Sequence, residues 1–267
     1  MKIQYLVTTY RKNKQEISDL LEKMNIHGEI LVGNQVEFSN GDWEIITNNY
    51  FAHVYNHVSV GTSKNRNFLI KKSNCDYFIF MDDDVYFYDD VQNKAEQILF
   101  SQKHNCVMFN IKSENDNRPI QFIEKDLEIK KFRKISSRGV IGCYFKRSFL
   151  ISNNLYFNEM LGPGTEINHG EDGVFFNNFL KLCPIYSSSF TPFYTFQSES
   201  VWLGRERNLD IELFSHGYLY YLLYKKYAKF MAVAFLATHM YCYPKKTSFF
   251  KLLRLMFDGI EKCKKSC

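Results

Sequence analysis

The stretch Asp76-Tyr77-Phe78-Ile79-Phe80-Met81-Asp82-Asp83-Asp84 sets an unbroken apolar run against three adjacent carboxylates. A short run of large apolar residues reads as a buried strand, so the aspartates are thrown out at its C-terminal end. Three like charges in a row repel one another and gain nothing from a core. A divalent cation holding phosphate offsets that cost, because such ions take few protein carboxylates and fill their shell with substrate oxygens. A solvated strand-end loop is the plain alternative. An EF-hand is excluded, since the glycine at loop position six and the glutamate at position twelve are both missing.

Working outward, the N-terminal side predicts a strand over Lys2–Thr9 and a helix over Lys14–Met24 with Ile17, Leu20, Leu21 and Met24 on one side. Strands follow at Glu29–Gly33 and Trp43–Thr47, then a helix opening at Gly61-Thr62-Ser63 and running to about Lys72. After the acidic turn come a helix over about Asp89–Lys103 and a strand over Cys106–Ile111. Strands alternating with helices predict an α/β fold with a mostly parallel central sheet flanked by helices, its ligands at the strands' C-terminal ends. The second half predicts a strand over Arg138–Phe145, a short helix over Lys146–Ser152, a loop at Leu161-Gly162-Pro163-Gly164 and a helix over Gly170–Leu182. From about Asn208 the pattern is helical and apolar, which divides the chain into a body over 1–207 and a helical, basic-apolar C-terminal region over 208–267.

With 267 residues and 45% hydrophobic content, the chain can bury a sizeable core. Seven scattered cysteines and no CxxC pair fit reduced thiols, not a disulfide frame or a zinc site. Met1–Tyr10 is too short and polar for a signal-peptide core. The net charge of +5 is uneven: Tyr218–Cys267 carries +8, leaving −3 on the rest. Because these basic residues are interleaved with apolar runs, the pattern favours an anionic membrane surface over nucleic acid as partner. Ser248–Lys262 reads as an amphipathic helix with a basic face, either lying on lipid or packed on the body. Phe230–Tyr243 is the most apolar stretch, yet at 14 residues it falls short of the roughly 20 that a bilayer span needs.

Two further constellations carry chemistry. Gly61-Thr62-Ser63-Lys64-Asn65-Arg66-Asn67 combines a glycine-led helix start with two cations, which suits a nucleotide phosphate. A basic surface helix is the commoner explanation of such a segment alone, and GxxxxGK[ST] is absent. Gly162-Pro163-Gly164 followed by Gly170-Glu171-Asp172 places two carboxylates at a helix start behind a glycine-rich loop. A helix N-terminus favours ionised carboxylates, which lowers their pKa and weakens them as bases.

In this order and spacing the three constellations resemble bacterial family-2 glycosyltransferases of the GT-A fold, from about Lys2 to Trp202. The resemblance implies inverting transfer of a sugar from a nucleotide-diphosphate sugar, most simply a UDP-sugar, to a saccharide or lipid-linked hydroxyl, in surface polysaccharide or glycolipid synthesis. The nucleotide-sugar half would span about 1–112 and the acceptor half about 113–207. It implies Mn²⁺ or Mg²⁺ at Asp82 and Asp84, with Asp83 nearer the ribose or sugar. Arg66 would hold the nucleotide beside Lys64, Thr8 and Thr9 would begin its pocket, and Gln35 would face the base. Asp172 would be the general base, with Glu171 orienting the acceptor or the base. Two places depart from the family pattern: Gly33-Asn34-Gln35 replaces an aspartate-containing segment, and Thr195-Phe196-Gln197-Ser198 lacks a histidine. His169 reads as a loop residue, not a ligand. The expected location is the cytoplasm, peripheral at the inner face of the cell membrane. A sugar nucleotidyltransferase is a rival, though Thr8-Thr9-Tyr10-Arg11-Lys12-Asn13 lacks that class's glycines. A non-catalytic metal- or sugar-binding module is another, and it would not require Asp172.

Overall fold

The computed structural model describes residues 1–38, 41–114, 123–134, 138–195, 209–243 and 248–266. In chain order the first half runs β1 (Ile3–Tyr10), α1 (Lys14–Met24), β2 (Gly28–Val36), β3 (Trp43–Ile46), β4 (Tyr50–Val58), α2 (Thr62–Lys72), β5 (Tyr77–Asp82), β6 (Val85–Phe87), α3 (Gln92–Ser101), β7 (Cys106–Met108) and β8 (Ile111–Ser113). The rest comprises β9 (Leu127–Ile129), β10 (Cys143–Lys146), α4 (Arg147–Ser152), α5 (Glu171–Leu180), β11 (Ile185–Ser187), β12 (Phe193–Thr195), α6 (Leu209–Tyr224), α7 (Ala228–His239) and α8 (Phe249–Ser266). The domain boundary expected at 207/208, the helix start at Asn208, Trp202, and Phe196–Ser198 lie outside the described residues.

Among the described residues, nine strands form one sheet in the order β3-β4-β2-β1-β5-β10-β7-β11-β9. Six of the nine run in one direction; β3, β10 and β9 oppose them. A second sheet orders β6-β12-β8. The pleat explains the apolar run of β5. Successive side chains point to opposite faces, so Ile79 and Met81 enter one core with Tyr5 and Val7, while Phe78 and Phe80 enter the other with Leu6. A strand buried on both faces needs no polar alternation, as the sequence showed.

The predicted α1 matches its residues, closed by a capping box between Asn13 and Glu16. Two expectations shift. The strand expected from Arg138 begins only at Cys143, because Gly142 takes φ +77° and turns the chain just before it. The strand expected over Cys106–Ile111 ends at Met108, and Ile111 opens β8 in the second sheet. The described cysteines Cys75, Cys106, Cys143, Cys183 and Cys263 are all free.

The chain forms two compact units. One comprises Met1–Glu159 and Glu171–Ser200; the other comprises Met160–Gly170 and Val201–Cys267. The first holds both sheets. In the second, α6, α7 and α8 share a core of Leu213, Ala228, Ala232, Leu236, Leu252, Met256 and Ile260. The apolar stripe of α8 is therefore packed against α6 and α7 inside the second unit, a partner that neither expected alternative, lipid or the body, had named. No described helix is long and apolar enough to cross a membrane.

Candidate active site

Parallel pairing of β1 with β5 sets Thr8 opposite Asp82 at the C-terminal ends of both strands, and Thr8 Oγ1 lies 3.4 Å from Asp82 Oδ1. Directly beside them α2 delivers Arg66, only 3% exposed. Its Nη2 donates to Asp82 Oδ1 at 3.3 Å and its Nη1 donates to Asp172 Oδ1 at 2.7 Å. One guanidinium thus ties the end of β5 to the first turn of α5. Its planar fork serves two acceptors at once, which an ammonium on a flexible stem does less well. The rings of Phe80 and Phe157 lie 5.7 and 5.4 Å from the guanidinium carbon, so its apolar surroundings are also cation–π partners. Its Nε is buried and makes no hydrogen bond.

Asp172 is held from a second side: its Oδ2 accepts the Val140 backbone N–H at 3.2 Å. Gly139 makes room for this, because a Cβ there would stand 2.9 Å from Asp172 Oδ2. Burial pushes the Asp172 carboxyl above the usual aspartate range; Arg66 pulls it down and Asp82 pushes it up again. Glu171 is driven up as well, to about 7, first by burial and then by Asp172. The expectation that a helix start would depress these groups is corrected: burial is the largest influence on both and raises them. Burial alone would lower Arg66, but Asp172 and Asp82 hold it firmly charged.

The other expected residues divide. Asp83 pairs with Lys12 Nζ at 3.3 Å, and Asp84 Oδ2 accepts from Thr195 Oγ1 at 3.0 Å. Thr9 is buried and donates to Asn34 Oδ1 at 3.1 Å, while the Asn34 amide donates to the Lys12 carbonyl and to Asn56 Oδ1. Asn34 therefore fixes the loop after β1. Gln35 is buried, its Nε2 donating to Ser59 Oγ and to the Gly61 carbonyl, so it braces the start of α2. Lys64 is exposed, and two residues from Arg66 it sits on another face of α2. The structure does not bring it to the Arg66 cluster. His169 lies beside Asn168, with Nδ1 2.9 Å from its side-chain oxygen. Lys12, Thr195 and the Val140 N–H were not singled out as site groups in the sequence. Lys12 follows the first strand within reading range, but nothing local marks Thr195, 111 residues from Asp84, or a backbone N–H.

Among the described residues no three His, Cys, Asp or Glu side chains converge as a cage for an ion. The three aspartates instead keep separate protein partners. That donor set fits Mg²⁺ or Mn²⁺ taking one or two carboxylates and completing its shell from phosphate oxygens; it does not fit a closed all-protein site.

The described family Glycosyl transferase family 2 matches residues 17–157. Comparison with curated proteins returns no match. Among solved structures, S. aureus TarS 1-349 in complex with UDP-GlcNAc superposes over 100% of this chain and 81% of its own, with a TM-score of 0.65 at 17% identity. The same fragment in complex with UDP gives a TM-score of 0.61 at 18% identity, covering 94% of this chain and 77% of its own. GalNAc-T7 with UDP, GalNAc and Mn²⁺ covers 97% of this chain and 54% of its own, with a TM-score of 0.57 at 8% identity. At such identities the likeness is one of fold. The sequence match is more specific: it spans more than half of the residues and includes Arg66 and the whole aspartate turn, and by it the chain belongs to glycosyl transferase family 2.

Proposed function

We propose that the protein transfers a sugar, with inversion, from a nucleotide-diphosphate sugar to a hydroxyl of a saccharide or lipid-linked acceptor. The observation that carries this reading is the Arg66 bridge, which puts the strand-end carboxylate of Asp82 and the half-buried, pKa-raised carboxylate of Asp172 at the two ends of one guanidinium. Structural neighbours bound to UDP-GlcNAc, and to UDP with Mn²⁺, support a UDP-sugar as donor.

In this reading Asp172 accepts the acceptor hydroxyl's proton as that oxygen bonds to the anomeric carbon. The bond from that carbon to the diphosphate oxygen breaks, and its electron pair leaves with the nucleotide. Single displacement with one base inverts the centre. Arg66 holds Asp172 ionised and aimed, and its charge lies between that base and the Asp82 end of the strand. Thr8, Lys12 and Asp83 form the nucleotide side, with Thr9 and Gln35 bracing it. Glu171 orients Asp172 or the acceptor. Asp82 and Asp84 would hold the divalent ion, which when bound neutralises charge on the leaving diphosphate. Surface polysaccharide or glycolipid synthesis, on the inner face of the membrane, is the setting this chemistry fits.

The test measures binding and turnover of a nucleotide-sugar panel with Mn²⁺, Mg²⁺ or EDTA. Donor binding should need the metal and survive Asp172→Asn, while transfer falls by about 10²–10⁴-fold. Full transfer by that variant would remove Asp172 as base. Equal donor binding in EDTA would remove the role given to Asp82 and Asp84.

A further inference from the structure

Helix α7 is apolar on both sides. One face, with Ala228, Ala232 and Leu236, is buried against α6 and α8. At 100° per residue, Phe230, Val233 and Ala237 fall on the opposite face, and all three are exposed, Phe230 at 70%. Tyr227 just before the helix is 60% exposed and Tyr241 just after it 82%. Single exposed apolar residues are ordinary, whereas an aligned stripe of them marks a contact surface.

The charge beside that stripe is mostly positive. Lys225, Lys226 and Lys229 are exposed at its start. From Leu213 to Phe257 the sequence has seven Lys or Arg and no Asp or Glu. Lys229 reaches Glu261 at 2.8 Å, while Lys225 and Lys226 lie over the Tyr221 and Tyr227 rings. A second copy of this chain would set cation against cation across a two-fold contact. A nucleic acid would match the lysines but not the apolar stripe. An anionic bilayer matches both: acyl chains for Phe230 and Val233, headgroups for the lysines, and the boundary between them for the two tyrosines. With 12 residues α7 is too short to span and must lie in the plane.

We propose that the outward face of α7 seats the protein on an anionic lipid surface, in place of the α8 stripe, which is spent on packing. This inference does not depend on the transfer chemistry.

The experiment sediments the full chain with sucrose-loaded vesicles of phosphatidylcholine, with and without phosphatidylglycerol. The parent should bind the anionic vesicles preferentially. Phe230→Ser with Val233→Ser should lower partition about tenfold, and Lys225→Gln with Lys226→Gln should reduce the anionic preference several-fold. Because these four positions are exposed, the unfolding midpoints should stay at the parent value. In a Phe230→Trp variant, brominated lipid should quench the emission on binding. The proposal is overturned if the parent shows no anionic preference or if the serine variant binds as the parent does. It is equally overturned if the bound tryptophan variant is not quenched, or if sedimentation velocity shows a dimer that the serine variant abolishes.

Discussion

Arg66 carries a full charge where water is nearly absent, and it is tolerable there because two carboxylates and two aromatic faces surround it. Breaking such a buried pair typically costs about 3–5 kcal/mol, so loss of stability alone would say little about function. A pH profile says more. Arg66 lowers the pKa of Asp172, so Arg66→Met should move the acidic limb of the kcat profile to higher pH. Arg66→Lys should restore most of that shift; a slow Arg66→Met enzyme with an unmoved limb would reduce Arg66 to a structural role. Glu171 makes a second prediction, with a definite sign. Its folded value of about 7 stands above the ordinary 4.5, so between these values the folded state holds more proton than the unfolded one. Stability should therefore fall as pH rises from about 4.5 to 7 and level off above. Glu171→Gln should flatten that slope, worth on the order of 1–3 kcal/mol, in urea unfolding followed against pH.

At the scale of elements, α6 and α8 cross through two glycines. A Cβ on Gly217 would stand 1.9 Å from the Met256 carbonyl oxygen, and one on Gly259 would stand 2.0 Å from that of Phe214. Glycine to alanine inside a helix normally gains up to about 1 kcal/mol from propensity. Here backbone meets backbone and cannot yield, so Gly217→Ala and Gly259→Ala should each destabilise by about 1–3 kcal/mol in denaturant unfolding. Neither crossing glycine was marked by the sequence reading, because close approach depends on a partner helix far along the chain. The strands teach the same lesson. β1, β2, β3 and β5 were legible from apolar runs, but β4 was not, although Tyr50, Ala52 and Val54 alternate inward; His53, Asn56 and His57 blur its pattern. β6, β8, β9, β11 and β12 have three residues each, too few for a period of two to show, and pairing with distant strands sustains them.

At the scale of the molecule, the candidate site was legible as three motifs in order, because strand-end carboxylates, a cationic helix start and a Gly-Glu-Asp turn are each local. What joins them was not: the Arg66 fork spans 16 residues to Asp82 and 106 to Asp172, distances that only folding closes. The allegiance of the segment Met160–Gly170 was also hidden, since it belongs with the C-terminal helices and not with the sheets on either side of it in sequence. This has a consequence for the candidate base. Gly170, at φ +90°, is packed so tightly on Leu219 that a Cβ would meet its side chain at 2.4 Å, and the next two residues are Glu171 and Asp172. The backbone entering α5 is thus anchored one residue before the acidic pair. Loosening that anchor should misplace the base without touching the donor side, and an error of about 1 Å in a reacting group can cost about 10²-fold in rate. Leu219→Ala should therefore lower kcat by about tenfold or more while donor affinity holds within about twofold, and Leu219→Met should retain most of the rate. Equal losses in donor affinity and kcat would show general unfolding instead, and an unchanged kcat would show that Asp172 is held by Arg66 and the Val140 N–H alone.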